Sequence, residues 1–207
     1  MSGNLENIRE DKTVSKSEKI ELQVLSFGSP AEFEGWLEQN NHLVTGIWIR
    51  FYKKGSGIQT IVYKEALDVA LCYGWIDGQL KKFNDNSYIQ KFTPRRPKSL
   101  WSKRNIDHVA RLEKEGKMKP PGIIAVEVAK KDGRWERAYD SPGDMNVPDE
   151  FLELLSKRKN ALEFYESLNK TNKYSIGWRL QTAKNDEARK IRMEEILLMM
   201  ERKEKFH

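Results

Sequence analysis

The stretch from Ala66 to Asn105 constrains the fold more than any other part of the chain. It begins with an apolar run in which Ala66 and Ala70 are four residues apart, which predicts a buried helix that ends at Gly74. Two short segments that carry aromatic residues follow, joined by Asn84-Asp85-Asn86, and this pattern predicts a β-hairpin.

The rest of the chain indicates an α+β fold. Residues 45–54 alternate strictly between two faces, which predicts a strand, and Ser29-Pro30 predicts the start of a helix. Beyond Pro148 the apolar residues follow helical spacing throughout. We therefore predict a small antiparallel sheet with packed helices, followed by an all-helical C-terminal segment.

Composition shifts along the chain predict four parts. Residues 1–24 are polar and lack an apolar period, so a disordered leader is expected there. Residues 25–140 are predicted to form the α+β domain. Residues 141–149, which contain two prolines and a glycine, are predicted to be a linker, and residues 150–207 the helical C-terminal segment.

The charge balance favours anionic partners. A net charge of +6 and a pI near 9.2 indicate nucleic acid, nucleotides or phosphorylated small molecules as partner classes. No apolar run approaches the roughly 18 residues of a spanning helix, so membrane insertion is not expected. The first residues lack the apolar region of a secretory signal, so a cytoplasmic location is predicted.

The potential metal ligands do not form a site in the sequence. Cys72 is the single cysteine and lies in the apolar helix, so we interpret it as a small core residue. His42, His108 and His207 are not at ligand spacing, so no metal and no cofactor are expected. The sequence does not indicate an oligomeric state.

The first candidate site residues follow directly after the apolar helix, in Trp75-Ile76-Asp77-Gly78. A carboxylate in this position can act as a base, bind a ribose or amine, or pair with a nearby arginine. The alternative is that Asp77 accepts hydrogen bonds from backbone amides in a turn.

The second group lies in the loop after the hairpin, where prolines hold arginine and tryptophan side chains in place. Arginine suits bidentate contacts to phosphate, and tryptophan or tyrosine can stack on a base. The predicted ligand-binding residues are Trp75, Asp77, Lys81, Tyr88, Arg95, Arg96, Ser99, Trp101 and Asn105. The alternative is a solvated charge run beside a buried Trp101.

Several motifs resemble the YdeI/OmpD-associated (bacteriocin-protection) family. They are residues 52–57, 65–68, 72–78, 92–95, 99–102, 105, 133–135, 138–142, 147–148, 174–176 and 179–184. The resemblance implies a link to antimicrobial-peptide or envelope stress, and it implies no catalytic residues. The family pattern has Ser or Thr where this chain has Val62, three residues before Glu65, so half of a capping box is missing.

Together these observations predict a cytoplasmic, stress-related binding protein for an anionic, phosphate-bearing small molecule. Arg95, Arg96 and Lys81 would bind the anion, and Tyr88 and Trp101 would stack. Asp77 and Asn105 would orient the ligand. One alternative is an enzyme that uses Asp77 as general base in the same pocket, and another is a nucleic-acid-binding protein with an open basic groove.

Overall fold

A computed structural model of the chain describes residues 22–207. The predicted leader, apart from its last three residues, lies outside the described residues. Within 22–207, none of the helices combines the length and the apolar character that a membrane crossing requires.

A four-stranded sheet forms the centre of the N-terminal part. Its strands are β1 (Val24–Leu25), β2 (Ile47–Tyr52), β3 (Trp75–Asn84) and β4 (Ser87–Pro94), in the order β1-β2-β4-β3. The predicted strand and hairpin are confirmed, and β4 pairs antiparallel with both neighbours. The sheet as a whole is mixed rather than antiparallel, because β1 pairs parallel with β2. A strand of two residues carries no readable alternation.

Four helices belong to this part of the chain. They are α1 (Pro30–Asn40), α2 (Tyr63–Cys72), α3 (Lys103–Lys114) and α4 (Pro120–Lys131). Ser29 and Ser102 cap α1 and α3 by accepting hydrogen bonds from backbone N–H groups in the first turn. At the start of α2 the Glu65 carboxylate accepts from the Val62 N–H at 3.1 Å, so the acidic half of the capping box is present.

The core of this part lies between the sheet and the helices. Ile47, Ile49 and Phe51 of β2 are buried on one face of the sheet, which we call the inner face. Phe33 of α1 meets Phe92 of β4 edge to face, with ring centroids 6.0 Å apart. These contacts fix α1 against the middle of the sheet.

Helix α4 packs against the end of α2 through a close backbone approach. A Cβ on Gly122 would lie 2.2 Å from the Cys72 carbonyl oxygen, so this position requires glycine. Gly74, with φ at 71°, turns the chain from α2 into β3. Together these contacts place α4 beside the start of β3.

The C-terminal part is helical, as predicted. Its helices are α5 (Asp149–Ser156), α6 (Lys159–Ser167), α7 (Lys170–Gln181) and α8 (Asp186–Glu201). They enclose a second hydrophobic cluster that includes Phe151, Leu180 and Leu197. The predicted bounds of the domain and linker stay predictions.

Gln181 at the end of α7 joins the two parts through three hydrogen bonds. Its Oε1 accepts from the Asp140 N–H at 2.8 Å, and its Nε2 donates to Asp140 Oδ2 at 2.7 Å and to the Asn146 carbonyl at 2.8 Å. Lys103 Nζ lies 2.6 Å from Asp140 Oδ1. Burial raises the pKa of Asp140, but Lys103 and Gln181 outweigh it and hold that pKa below its ordinary value.

We expect Gln181→Leu to lower the free energy of unfolding by about 1–3 kcal/mol, because it leaves the polar atoms of Asp140 and Asn146 without these partners. Urea unfolding followed by tryptophan fluorescence measures the change. Gln39→Leu on the exposed face of α1 is the matched control and should change stability by less than about 0.5 kcal/mol. Equal effects of the two variants would show that the hydrogen bonds of Gln181 do not hold the two parts together.

Candidate functional site

The open end of the β3–β4 hairpin brings the two predicted site segments together. Trp75 at the start of β3 pairs with Pro94 at the end of β4. One residue further, the Arg95 N–H donates to the Gly74 carbonyl at 2.9 Å. The loop that follows β4 therefore starts beside the Trp75 indole.

The Arg95 side chain folds back onto this loop. Its guanidinium carbon lies 3.4 Å from the centroid of a Trp101 ring, a cation–π contact. Its Nη1 donates to the Leu100 carbonyl at 3.0 Å. Its Nε and Nη2 are buried and have no hydrogen-bond partner within the described residues.

Burial lowers the pKa of Arg95 to about 9, because loss of solvent disfavours the charged form. Tyr139 and Asp77 oppose this shift, while the neighbouring charge of Arg134 adds to it. Asp77 is not within salt-bridge distance of Arg95. The guanidinium is thus a buried cation without a direct carboxylate partner in the described part of the chain.

A cleft of about 300 Å³ lies between this loop and α4, and we call it the Arg95 cleft. Arg95, Arg96 and Arg134 line its basic side. Ile124 and Val128 line its α4 side and are 59% and 44% exposed. The cleft therefore has a cationic side and an apolar side.

The unpartnered buried polar atoms of the described residues belong to residues that line the Arg95 cleft. Four buried side-chain atoms lack a hydrogen-bond partner, namely Trp75 Nε1, Trp101 Nε1, Arg95 Nε and Arg95 Nη2. All three residues line the cleft. All four atoms are N–H donors, so an acceptor is the group that would satisfy them.

Arg134 holds the loop from the far side. Its Nη1 donates to the Ser99 carbonyl at 2.7 Å, and its Nε lies 2.8 Å from both carboxylate oxygens of Asp132. Within the loop, Ser99 Oγ accepts from the Arg96 N–H at 2.9 Å, while the Arg96 side chain remains exposed. Ser99 therefore shapes the loop through its own hydrogen bonds.

Asp77 lies outside the Arg95 cleft, on the inner face of β3. Its Oδ2 accepts from Tyr63 Oη at 2.8 Å and lies 3.4 Å from Gln90 Nε2. Burial and the Asp77 charge both raise the pKa of Tyr63 above its ordinary value, so the phenol keeps its proton and donates. In this arrangement Asp77 ties α2 to β3.

The remaining predicted ligand-binding residues are spread over the sheet and α3. Tyr88 stacks on Phe51 at 5.2 Å on the inner face. Lys81 is exposed and lies 4.8 Å from the Trp48 ring. Asn105 is buried in the first turn of α3. The structure thus brings together Trp75, Arg95, Arg96 and Trp101, but not Asp77, Lys81, Tyr88 and Asn105.

Arg134 and the α4 residues that line the cleft were not among the site residues predicted from the sequence. Arg134 belongs to Gly133-Arg134-Trp135, which contributed only to the family resemblance. Its side chain reaches the loop from 35 positions away in the chain. The sequence feature that could have indicated this role is the position of Arg134 directly before Trp135.

The single cysteine, Cys72, is not activated in this structure. Cys72 is 5% exposed, and burial followed by the charges of Asp68 and Glu34 raises its pKa to about 11, so the thiol keeps its proton at neutral pH. Within residues 22–207 there is no group of His, Cys, Asp and Glu that could hold a metal ion.

We expect Tyr63→Phe and Asp77→Ala each to lower the free energy of unfolding by about 1–2 kcal/mol, since each removes one partner of the same hydrogen bond. The double variant should cost about 1 kcal/mol less than the sum, because the shared bond is lost once. Urea unfolding of the four proteins measures the coupling. Fully additive effects would contradict a structural role of this pair.

Comparisons with known proteins divide the chain into two segments. Residues 25–125 match a domain of unknown function (DUF8412), and residues 144–203 match the family described as bacteriocin-protection, YdeI or OmpD-associated. Searches of the curated proteins and of the solved structures each gave no match. The N-terminal motifs that carried part of the resemblance lie in the first segment. The second match confirms the resemblance over residues 144–203, where the sequence matches the model of the bacteriocin-protection, YdeI or OmpD-associated family.

Proposed function

We propose that this chain is a cytoplasmic, stress-related binding protein that holds a small anionic, phosphate-bearing ligand in the Arg95 cleft. One observation carries the proposal: the four buried, unpartnered polar atoms are all N–H donors on residues that line one cleft. Phosphate and carboxylate groups accept several hydrogen bonds and donate few or none when ionised, so they complement such a set. The stress-related role rests on the family match at residues 144–203.

The charge around the cleft supports an anion over a neutral acceptor. Arg95, Arg96 and Arg134 line it, and among the described residues no Asp or Glu does. The buried guanidinium of Arg95 lies outside salt-bridge distance of any described carboxylate. A bound anion would supply the counter-charge that Arg95 lacks.

The α4 wall indicates what the rest of the ligand is like. Ile124 and Val128 expose apolar side chains to the cleft opposite the arginines. A ligand with an anionic group at one end and an apolar or planar body at the other would bury these side chains as well. A volume of about 300 Å³ fits a small molecule of this kind.

The enzyme alternative has less support. A general base must reach the reacting group directly or through one water. Asp77 does not line the cleft, and its carboxylate accepts hydrogen bonds from Tyr63 and Gln90. Binding through Arg95 therefore accounts for more of the observed geometry than catalysis by Asp77.

A thermal-shift screen against sulfate, inorganic phosphate, sugar phosphates and nucleotides tests the proposal. We expect an anion of this set to raise the melting temperature of the wild-type protein, because a ligand that binds only the folded state stabilises it. Arg95→Gln and Arg96→Ala should each reduce the shift. Gln keeps the aliphatic part of the side chain and an amide donor without the charge, while Arg96 is exposed and its replacement should leave folding unchanged.

Arg202→Ala is the matched control, since it removes an exposed arginine of the C-terminal part that does not line the cleft. Its shift should equal that of the wild type. If Arg95→Gln, Arg96→Ala and Arg202→Ala all keep the wild-type shift, the anion is bound elsewhere and the proposal is wrong.

Sulfate affinity should fall as the pH rises above about 9, because the pKa of Arg95 is lowered to about 9 and the guanidinium then loses its charge. Sulfate keeps its double charge over this range. Tyr73, which lies at the edge of the cleft, stays neutral because burial raises its pKa to about 12. Isothermal titration calorimetry at a series of pH values measures the profile, and a fall of the same size in Arg95→Gln would contradict the assignment to Arg95.

A further inference from the structure

The face of the sheet opposite the helices carries a second basic surface, which we call the outer face. Cross-strand register places Trp48 and Arg50 of β2, Ile89 and Lys91 of β4 and Lys81 of β3 on this face. Trp48, Arg50 and Lys91 are half-buried and Lys81 is exposed. The outer face is independent of the Arg95 cleft.

Two cation–π arrangements order the outer face. The guanidinium of Arg50 lies 4.5 Å from the Tyr52 ring centroid and 4.3 Å from that of Phe83, and its Nε donates to Ser87 Oγ at 3.0 Å. Lys81 Nζ lies 4.8 Å from the Trp48 ring across the intervening strand β4. Aromatic rings and cations are thus held side by side on the outer face.

The charge of the outer face is unbalanced. Within the described residues, none of Arg50, Lys81 and Lys91 takes part in a salt bridge. Asp85 in the hairpin turn pairs instead with Lys82, which points to the other side of the strand, at 2.7 Å. Among residues 22–207, no carboxylate therefore forms an ion pair with these three cations of the outer face.

We propose that the outer face binds single-stranded nucleic acid. Sheets that bind single strands combine aromatic side chains, on which bases stack, with cations that track the phosphates. Trp48, Tyr52 and Phe83 supply the rings, while Arg50, Lys81 and Lys91 supply the charge. A duplex keeps its bases stacked on each other, so it would contact only the cations of the outer face. An acidic protein would pair with the cations but would not supply planar groups to stack on the aromatic rings.

Lys53 and Lys54 extend the surface at one end. They follow β2 directly, and the Lys53 N–H donates to the Asn86 carbonyl at 2.9 Å, so both lie next to the hairpin turn. Both side chains are exposed. A single-stranded nucleic acid that crosses the sheet from Trp48 towards the hairpin turn would remain in contact with basic residues.

Fluorescence anisotropy with labelled single strands of about 12 nucleotides, within the roughly 4–16 nucleotides that such surfaces cover, tests the proposal. Oligo(dT) and oligo(U) serve as probes, and a duplex of the same length is the comparison. Lys81→Glu and Lys82→Glu form a matched pair, because the two residues are adjacent, carry the same charge and lie on opposite faces of β3. We expect Lys81→Glu to weaken single-strand binding about 10-fold and Lys82→Glu to leave it nearly unchanged.

Trp48→Ala should weaken binding about 10-fold through loss of stacking, while circular dichroism confirms that the sheet is intact. With three phosphate contacts, raising the salt from about 50 to 200 mM should lower wild-type affinity about 20-fold. The proposal is overturned if the wild type does not bind, if the two glutamate variants lose affinity equally, or if the duplex binds as tightly as the single strand. Arg202→Ala, which lies in the C-terminal part and outside both the cleft and the outer face, should leave single-strand binding unchanged.

Discussion

Burial of the Arg95 guanidinium on Trp101 is the interaction on which this region of the molecule depends. Removing a cation from water costs several kcal/mol. The contact with Trp101 and the bond to the Leu100 carbonyl return part of this cost, about 2 kcal/mol for a desolvated cation–π contact. Two N–H groups nevertheless remain without partners, each at a cost of about 1–3 kcal/mol. An acceptor bound to these N–H groups would offset this desolvation cost, which is the physical basis of the proposed anion site.

The sheet separates two surfaces of different chemistry. Because side chains alternate along a strand, the inner face of β2 is buried by the helices while Trp48, Arg50 and Tyr52 point the other way. The hairpin contributes to both surfaces. Its open end positions Arg95 for the cleft, and its middle and turn present Lys81 and Phe83 on the outer face. One hairpin therefore contributes to both the Arg95 cleft and the outer face, the two surfaces for which binding is proposed.

Most of the fold could be predicted from the sequence because most of its helices and strands have local sequence patterns. Apolar periodicity identifies the helices, the alternation around Ile49 identifies β2, and Asn84-Asp85-Asn86 identifies the hairpin turn. Strand β1 could not be predicted, because two residues show no period. The mixed character of the sheet depends on that strand alone.

The candidate site was less accessible to prediction, because long-range contacts decide it. Asp77 and Arg95 are close in the sequence, yet the Asp77 carboxylate is engaged by Tyr63 from α2 and Gln90 from β4. Arg134 reaches the cleft from beyond α4. The sequence was equally consistent with Trp101 as a stacking residue and with Trp101 as a core residue. The structure shows it buried, with Arg95 lying over its ring.

The loop that contains Arg95 is also connected to the family domain at residues 144–203. The Tyr139 N–H donates to the Trp101 carbonyl at 3.0 Å, and the Lys103 N–H donates to the Tyr139 carbonyl at 2.8 Å. The next residue, Asp140, is held by Gln181 of α7. A continuous series of hydrogen bonds therefore links Trp101, on which Arg95 lies, to the C-terminal helices. These bonds fix the position of Trp101, and with it that of the Arg95 guanidinium, relative to α7.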